Sequence, residues 1–363
     1  MRNIFLLFVL LLTVSVVLVG CGRSAEVRKD QGRSFLVSVD GGANFTPRIK
    51  LGEKTIANIS VLSMAHSMQN QKTIYIGTRK NGIFVTHDGG SQWQKITFPL
   101  ENIYGIAVDV SNDQILYASG MRNKLAYVYK STDGGKNWEK IYTEPKEKVI
   151  ITALVMDPTQ ARVLYVGTSA GLIIKTTDGG TSWKNIFVAR GPVIDVAFDA
   201  QDSKTVYFAI YRRGLLKTRN GGESIEDLTR KMVKTNYSIG NGTRSAKRGY
   251  RSSRVYALAT DPRIGGIVYV GTDRGIYRSE DYGKTWKNLN VIGSSEKLPV
   301  RAIAINPHDT KKMIYGVAHT IYRSSENMTK WTPVHVSVSR RVSVIQYDSS
   351  DVNTIYIGMR SGK

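Results

Sequence analysis

Ser131-Thr-Asp133-Gly-Gly135-Lys-Asn-Trp138 is one copy of a phrase, Ser/Thr-x-Asp-x-Gly-x-x-Trp, that recurs along the chain in seven intact or eroded copies. Thr86-His-Asp88-Gly-Gly90-Ser-Gln-Trp93, Thr176-Thr-Asp178-Gly-Gly180-Thr-Ser-Trp183 and Ser279-Glu-Asp281-Tyr-Gly283-Lys-Thr-Trp286 are the other intact ones. Ser38-Val-Asp40-Gly-Gly42-Ala-Asn-Phe45 has Phe for Trp, and Thr218-Arg-Asn220-Gly-Gly222-Glu-Ser-Ile225 has lost both Asp and Trp. Ser324-Ser-Glu326-Asn-Met328-Thr-Lys-Trp331 is the most eroded. From the acid (or its substitute) of one copy to that of the next, the spacing is 48, 45, 45, 42, 61 and 45 residues. A period in the mid-forties is the length of a propeller blade of four short strands.

Two other landmarks keep phase with the phrase. One is an aliphatic-Tyr strand, at Ile74-Tyr75, Leu116-Tyr117, Leu164-Tyr165, Val206-Tyr207, Val268-Tyr269, Ile314-Tyr315 and Ile355-Tyr356. The other is an earlier apolar run that usually ends in Asp or Asn, such as Ile151 to Asp157, Val193 to Asp199 and Val300 to Asn306. Runs of apolar, β-branched residues bounded by Asp, Pro and Gly read as strands. Each unit is therefore strand A, a polar turn, Tyr strand B, a turn, strand C, the repeated phrase as a turn, and strand D. The C-terminus supplies only A and B (Val342 to Met359), and the N-terminus only C and D (Phe35 to Ile49). Joined, they complete one blade and leave no open edge at the seam. The expected fold is all-β, a seven-bladed β-propeller of four-stranded antiparallel blades over residues 33–363, its ring closed by a composite blade from both termini.

The phrase has a physical reading as a turn. Asp and Ser/Thr oxygens accept hydrogen bonds from nearby backbone N–H groups, Gly tolerates positive φ, and Trp lies across the turn as an apolar plug between blades or against its own hairpin. It resembles the Asp-box, or bacterial neuraminidase repeat, of sialidases, sortilins and related propellers, where it is a structural turn away from the active centre. The resemblance implies structural roles for Asp40, Asp88, Asp133, Asp178, Asn220 and Asp281, and for Trp93, Trp138, Trp183, Trp286 and Trp331. The Tyr strand reads as core, each hydroxyl finding one partner.

Met1-Arg2-Asn3 precedes an apolar run from Ile4 to Val19, as in a secretory signal. Its end, Leu18-Val19-Gly20-Cys21, resembles a bacterial lipobox. That implies a signal peptide over residues 1–20, lipidation of Cys21, and a tether over 21–32 on the extracytoplasmic or periplasmic face of a bacterial membrane. Cys21 is the only cysteine, so the exported domain has no disulfide and no thiolate chemistry. The chain holds 51 Lys and Arg against 29 Asp and Glu, a formal charge of +22. Such a balance often signals nucleic acid, a partner that an exported protein does not meet. An acidic or membrane protein, anionic lipid or acidic polysaccharide fits better.

Blade topology sorts the cations. In an A-B-C-D meander the A–B and C–D turns share one face, and the B–C turns and D-to-A loops share the other. The B–C turns hold Arg79 and Lys80, Arg122 and Lys124, Arg212 and Arg213, Arg274, and Arg360 with Lys363, while His319 takes the place in a further blade. An insertion over residues 230–254, in a D-to-A loop, adds Arg244, Lys247, Arg248 and Arg251 and contains no acid; Arg340-Arg341 read as part of another such loop. Strand C of the composite blade starts on the same face. A dozen tether residues at ~3.3–3.6 Å each span roughly 40 Å, so the basic face is expected to look at the membrane.

No constellation of catalytic residues emerges. Sialidases need an arginine triad, a Tyr nucleophile with a Glu base and an acidic Asp; the nearest phrase here, Pro47-Arg48-Ile49-Lys50, lacks the flanks of their first arginine. Xyloglucan hydrolases share the repeat but clamp substrate between two propellers. All five Trp are taken by the repeats, leaving none to stack on a sugar, and the five His show no metal-ligand spacing. No Gly-rich phosphate loop or Ser-nucleophile elbow is present. As a whole chain the sequence resembles the photosystem II assembly and stability factor family, whose members are seven-bladed Asp-box propellers, lipid-anchored in cyanobacteria, with an arginine-rich patch that holds a membrane-protein partner. The expectation is a monomeric, non-catalytic docking ring without cofactor or metal. The alternative is a glycan-binding or glycoside-hydrolysing propeller using the central pocket of the same face.

Overall fold

A computed structural model describes residues 32–234 and 254–362, apart from residues 296, 326 and 338. Cys21, Lys363, Arg244, Lys247, Arg248 and Arg251 lie outside the described residues. The chain enters through β1 (Phe35–Ser38) and β2 (Thr46–Pro47), followed by a small hairpin of β3 (Lys50–Leu51) and β4 (Lys54–Thr55). Six consecutive four-stranded antiparallel meanders come next. They are β5 (Ser60–His66), β6 (Ile74–Arg79), β7 (Ile83–Thr86) and β8 (Gln94–Ile96); β9 (Asn102–Val108), β10 (Leu116–Arg122), β11 (Leu125–Ser131) and β12 (Glu139–Thr143); and β13 (Ile151–Met156), β14 (Leu164–Thr168), β15 (Leu172–Thr176) and β16 (Lys184–Val188). The next three are β17 (Val193–Phe198), β18 (Val206–Ile210), β19 (Gly214–Thr218) and β20 (Glu226–Asp227), then, after α1 (Thr229–Lys234), β21 (Val255–Thr260), β22 (Val268–Thr272), β23 (Gly275–Ser279) and β24 (Lys287–Leu289), then β25 (Val300–Ile305), β26 (Met313–Val317), β27 (Thr320–Ser325) and β28 (Lys330–His335). Last come β29 (Arg340–Tyr347) and β30 (Ile355–Ser361). Strand β1 pairs antiparallel with β30, Phe35 opposite Gly358 and Ser38 opposite Ile355, so the seventh blade is built from both ends of the chain.

The core is not one mass but seven seams. Each apolar cluster is shared by two adjacent blades; Tyr117, Val128 and Leu154 belong to one, Tyr165, Val193 and Phe208 to the next, and Phe35, Val61 and Trp93 to the seam joining the composite blade to the first meander. A blade buries its faces only against its neighbours, so the ring must close to dry every seam. The innermost strands touch in the order β5, β9, β13, β17, β21, β25, β29 and back to β5.

The repeated turn is wired as its chemistry demands. In the second meander Ser131 Oγ donates to Asp133 Oδ1 at 2.8 Å and accepts from Gly135 N at 2.9 Å, while Asp133 Oδ1 accepts the N–H of Asn137 at 2.9 Å. The first glycine of each pair ties the turn to the A–B turn of its own blade: Gly41 N donates to Asn353 O, Gly89 N to Lys72 O, Gly134 N to Gln114 O, Gly179 N to Arg162 O and Gly221 N to Lys204 O. The second glycine meets the preceding blade. At Gly180, φ is +95° and a Cβ would lie 2.3 Å from Ile141 Cδ1, so both backbone and space exclude a side chain. In the most eroded copy Asn327 and Met328 adopt the positive φ values of 58° and 65° themselves.

The tryptophans plug seams in two ways. Trp93, Trp183 and Trp331 donate Nε1–H to carbonyls of the preceding segment (Arg48, Ile141 and Asn290), whereas Trp138 and Trp286 donate within their own turns, to Gly135 and Gly283. The tyrosines do line the core, but not every hydroxyl finds a partner. Tyr165 donates to Gly221 O, Tyr315 to Ile292 O and Tyr356 to Asp348, while the hydroxyls of Tyr117 and Tyr207 are buried without one. Each innermost strand also carries a β-bulge at the same place, which the alternating pattern did not reveal. The extra residues are Leu62, Tyr104, Thr152, Ile194, Tyr256, Arg301 and Ser343. A bulge re-aims a side chain, and all seven line the central channel.

Candidate functional site

The B–C turns share one end of the ring with the D-to-A loops, and the chain enters there. Met359 N donates to Ser34 O, and Arg33 donates to Val336 O in the loop before β29. Of the cations expected on this face, Arg79, Lys80, Arg122, Lys124, Arg212, Arg213 and Arg274 are exposed and Arg360 is half-buried. Lys80, Lys124 and Arg212 hold φ of 69°, 69° and 60°, a region that favours glycine. Their side chains are retained at a backbone cost that Gly would avoid.

Two expectations need correction. Arg340 and Arg341 do not lie in a loop; they open β29 and pair with Ser361 and Arg360. Arg340 is buried and donates to Ile59 O, so it is a strut. His319 does take the B–C turn between β26 and β27, where its Nδ1 lies 2.7 Å from Arg340 O. The 230–254 insertion begins inside α1, whose Met232 is buried with Leu228, and its Lys231 is paired with Glu226 at 2.6 Å. Other cations serve the seams: Lys130 and Lys175 reach the next blade's Gly179 O and Gly221 O, and Lys217 reaches Tyr282 O while pairing with Glu226.

The channel mouth on this face holds the arginines that sequence reading missed or left apart. Arg360, at the end of β30, is held below the ordinary arginine value first by burial and then by repulsion from Arg301, Arg79 and Arg341. Arg341 sits directly opposite Arg360 across the β29–β30 pair. The Arg301 guanidinium lies over the Tyr256 ring at 4.8 Å, and Tyr256 meets Tyr211 edge-on at 5.6 Å. Among the described residues no ion pair involves Arg79, Arg301, Arg341 or Arg360. The channel itself encloses about 690 Å³. Asp195 is the one carboxylate among its lining residues. Burial pushes that carboxyl up to about 7, although it accepts the N–H groups of Val196 and Leu258. At the far end burial lowers the His66 imidazole to about 4. Among the described residues no group of three His, Cys, Asp or Glu is placed to hold a metal ion, and no helix is long and apolar enough to cross a membrane.

The family description "Sortilin, neurotensin receptor 3" (Sortilin-Vps10) matches residues 126–262, and the BNR-Asp box repeat matches residues 276–289. The chain is a seven-bladed Asp-box propeller. No curated protein matches it by sequence. Among solved structures, 84% of this propeller superimposes on 51% of the GH74 xyloglucanase of Xanthomonas campestris, with a TM-score of 0.67 and 16% identity. It therefore spans about half the length of that enzyme, and likewise of the GH74 enzyme of Niastella koreensis (51%, TM-score 0.64). YCF48 bound to a D1 peptide superimposes over 85% of this chain and 97% of its own, with a TM-score of 0.61 and 13% identity. YCF48 of Cyanidioschyzon merolae does so over 83% and 95%, at 0.56 and 16%. Identities this low establish the shared fold alone.

Proposed function

We propose that this propeller is a non-catalytic docking ring, tied by a lipid on Cys21 to a bacterial membrane, that holds an acidic protein partner on its B–C face. The observation that carries the reading is that the B–C turns expose Arg79, Lys80, Arg122, Lys124, Arg213 and Arg274 on the face where the chain enters with only the buried Asp273 as an acid among them, whereas the opposite turns mix exposed cations such as Lys72, Lys136 and Lys284 with exposed acids such as Asp88 and Asp178. Exposed charges on loops of a rigid scaffold steer and orient a partner of opposite charge. The positive φ of Lys80 and Lys124 supports the same reading, since backbone strain clusters at functional sites. YCF48, matched over 97% of its own length and solved with a D1 peptide, supports docking over catalysis. The test is affinity capture from native membranes with the full chain and with an Arg122→Glu/Arg213→Glu/Arg274→Glu variant. Loss of an acidic co-purifying protein from the variant supports the proposal, and its undiminished recovery overturns it.

A glycan-hydrolysing reading draws on the xyloglucanase likeness and on Asp195, whose raised carboxyl is suited to a general acid. Glycoside hydrolysis needs two carboxyl groups across the scissile bond, and the channel lining supplies one. Release of reducing sugar from xyloglucan by the wild-type chain, abolished in Asp195→Asn, would favour this reading over docking.

A further inference from the structure

The channel has two unlike sides. The walls from β5, β9, β13 and β17 present mainly Leu62, Met64, Ile106, Leu154, Met156 and Ile194, interrupted by His66, Tyr104 and Asp195. Two hydroxyls on these walls are turned into the protein: Thr152 Oγ1 donates to Val193 O, with Gly167 O also in reach at 3.2 Å, and Ser63 Oγ donates to Ile103 O at 3.3 Å. That side is therefore less polar than its composition suggests. The opposite side, from β21, β25 and β30, presents Tyr256, Arg301 and Arg360 at the mouth, with Tyr211 beside them. Like charges directly opposite in a sheet are destabilising, yet Arg341 and Arg360 are so placed. Arg301 and Arg79 add to the repulsion, and the Nε of Arg341 is buried without a partner. A cluster kept without a counter-charge among the described residues is arranged for an anion from outside.

We infer that the channel binds an amphipathic carboxylate, its head held by Arg301 and Arg360 at the B–C mouth and its apolar tail laid along the β5–β9–β13–β17 wall. A volume of about 690 Å³ lies within the ordinary range for small-molecule sites. A small inorganic anion would satisfy the arginines and leave the apolar wall uncovered; a neutral alcohol would do the reverse. The burial-raised carboxyl of Asp195 limits repulsion of an entering anion. The head site borders the docking face at Arg79, but its carboxylate ligand needs no protein partner, so it stands or falls without that reading.

A scintillation proximity assay with radiolabelled decanoate on the immobilised full chain tests it. The expected result is saturable binding of one decanoate per chain. Affinity should rise about tenfold for each two methylenes from hexanoate to decanoate, because each buried CH₂ contributes a constant increment. Decanol should bind at least about tenfold more weakly, as should decanoate to Arg301→Gln or to Arg360→Gln. Ile194→Trp, which fills the apolar side, should remove the advantage of decanoate over hexanoate. Thermal unfolding of each variant, matched to wild type, makes these losses local. Any one of three results overturns the proposal: no saturable decanoate binding by the wild-type chain, equal affinity for acetate and decanoate, or undiminished binding by both arginine variants. So would a mouth that takes an acidic peptide with a free C-terminal carboxylate but no decanoate.

Discussion

Asp133 shows what each repeat needs from its acid. Its carboxyl is held down to about 2, first by the backbone N–H of Asn137, then by the Asn137 side chain and the Ser131 hydroxyl. The folded value lies below the ordinary 3.8, so the stabilisation is present above about pH 4 and is lost as pH falls toward 2. Asn220 nonetheless makes the equivalent bonds without charge, its Oδ1 accepting from Ser224 N at 2.9 Å and from the Thr218 hydroxyl. Asp133→Asn is thus expected to change the urea midpoint little at pH 7 and to flatten the loss of stability between pH 4 and 2; a variant that unfolds at pH 7 would contradict this. Lys124 is the opposite case, a residue whose backbone prefers glycine. Lys124→Gly should leave unfolding free energy within about 1 kcal/mol of wild type while weakening partner capture. Equal capture would remove Lys124 from the interface. Asp, Gly and Trp were legible as turn residues because their chemistry is local. The unpaired hydroxyls of Tyr117 and Tyr207 were not, because a partner would have to come from elsewhere in the fold.

Strands were legible wherever apolar and β-branched residues run unbroken, and the joining of β1 to β30 followed from what each end of the chain lacked. Two features at this scale escaped. Arg340-Arg341 look like loop residues, yet they extend β29 because their backbone pairs with Ser361 and Arg360. The sevenfold bulge leaves no mark in an alternating pattern, since it shifts register without changing composition. Its one clue was a charge inside an apolar run, Val300-Arg301-Ala302. The seams also rank the tryptophans. Trp93 is 2% exposed, meets Phe35 edge-on at 4.8 Å and donates to Arg48 O at 2.9 Å, locking the composite blade to the first meander. Trp331 is only partly covered, against Tyr315 at 4.9 Å. Trp93→Ala should lower unfolding free energy by about 3–5 kcal/mol and Trp331→Ala by about 1–2 kcal/mol, read from urea denaturation. The reverse order would contradict the account of the seams.

Over the whole molecule, counting one phrase sufficed to set the ring at seven and to give its two ends different jobs. The arginine cluster at the channel mouth was beyond that count, since Arg301 and Arg360 meet only once β25 and β30 are brought round the same axis. The end bearing the repeated turns is tied down by its own hydrogen bonds and mixes exposed cations with acids, and the other end carries the entering chain and exposed cations with few acids among them. The central claim is that partner docking belongs to that second end. It is tested most directly by comparing capture from native membranes, over a range of salt, for two charge-reversed chains. One changes Arg79, Arg122, Arg213 and Arg274 to Glu on the B–C face; the other changes the exposed Lys136 and Lys284 to Glu on the repeated turns. The account predicts salt-sensitive capture of an acidic partner by the wild type, abolished in the first chain and intact in the second. Capture that survives in the first chain, or fails equally in both, would contradict it.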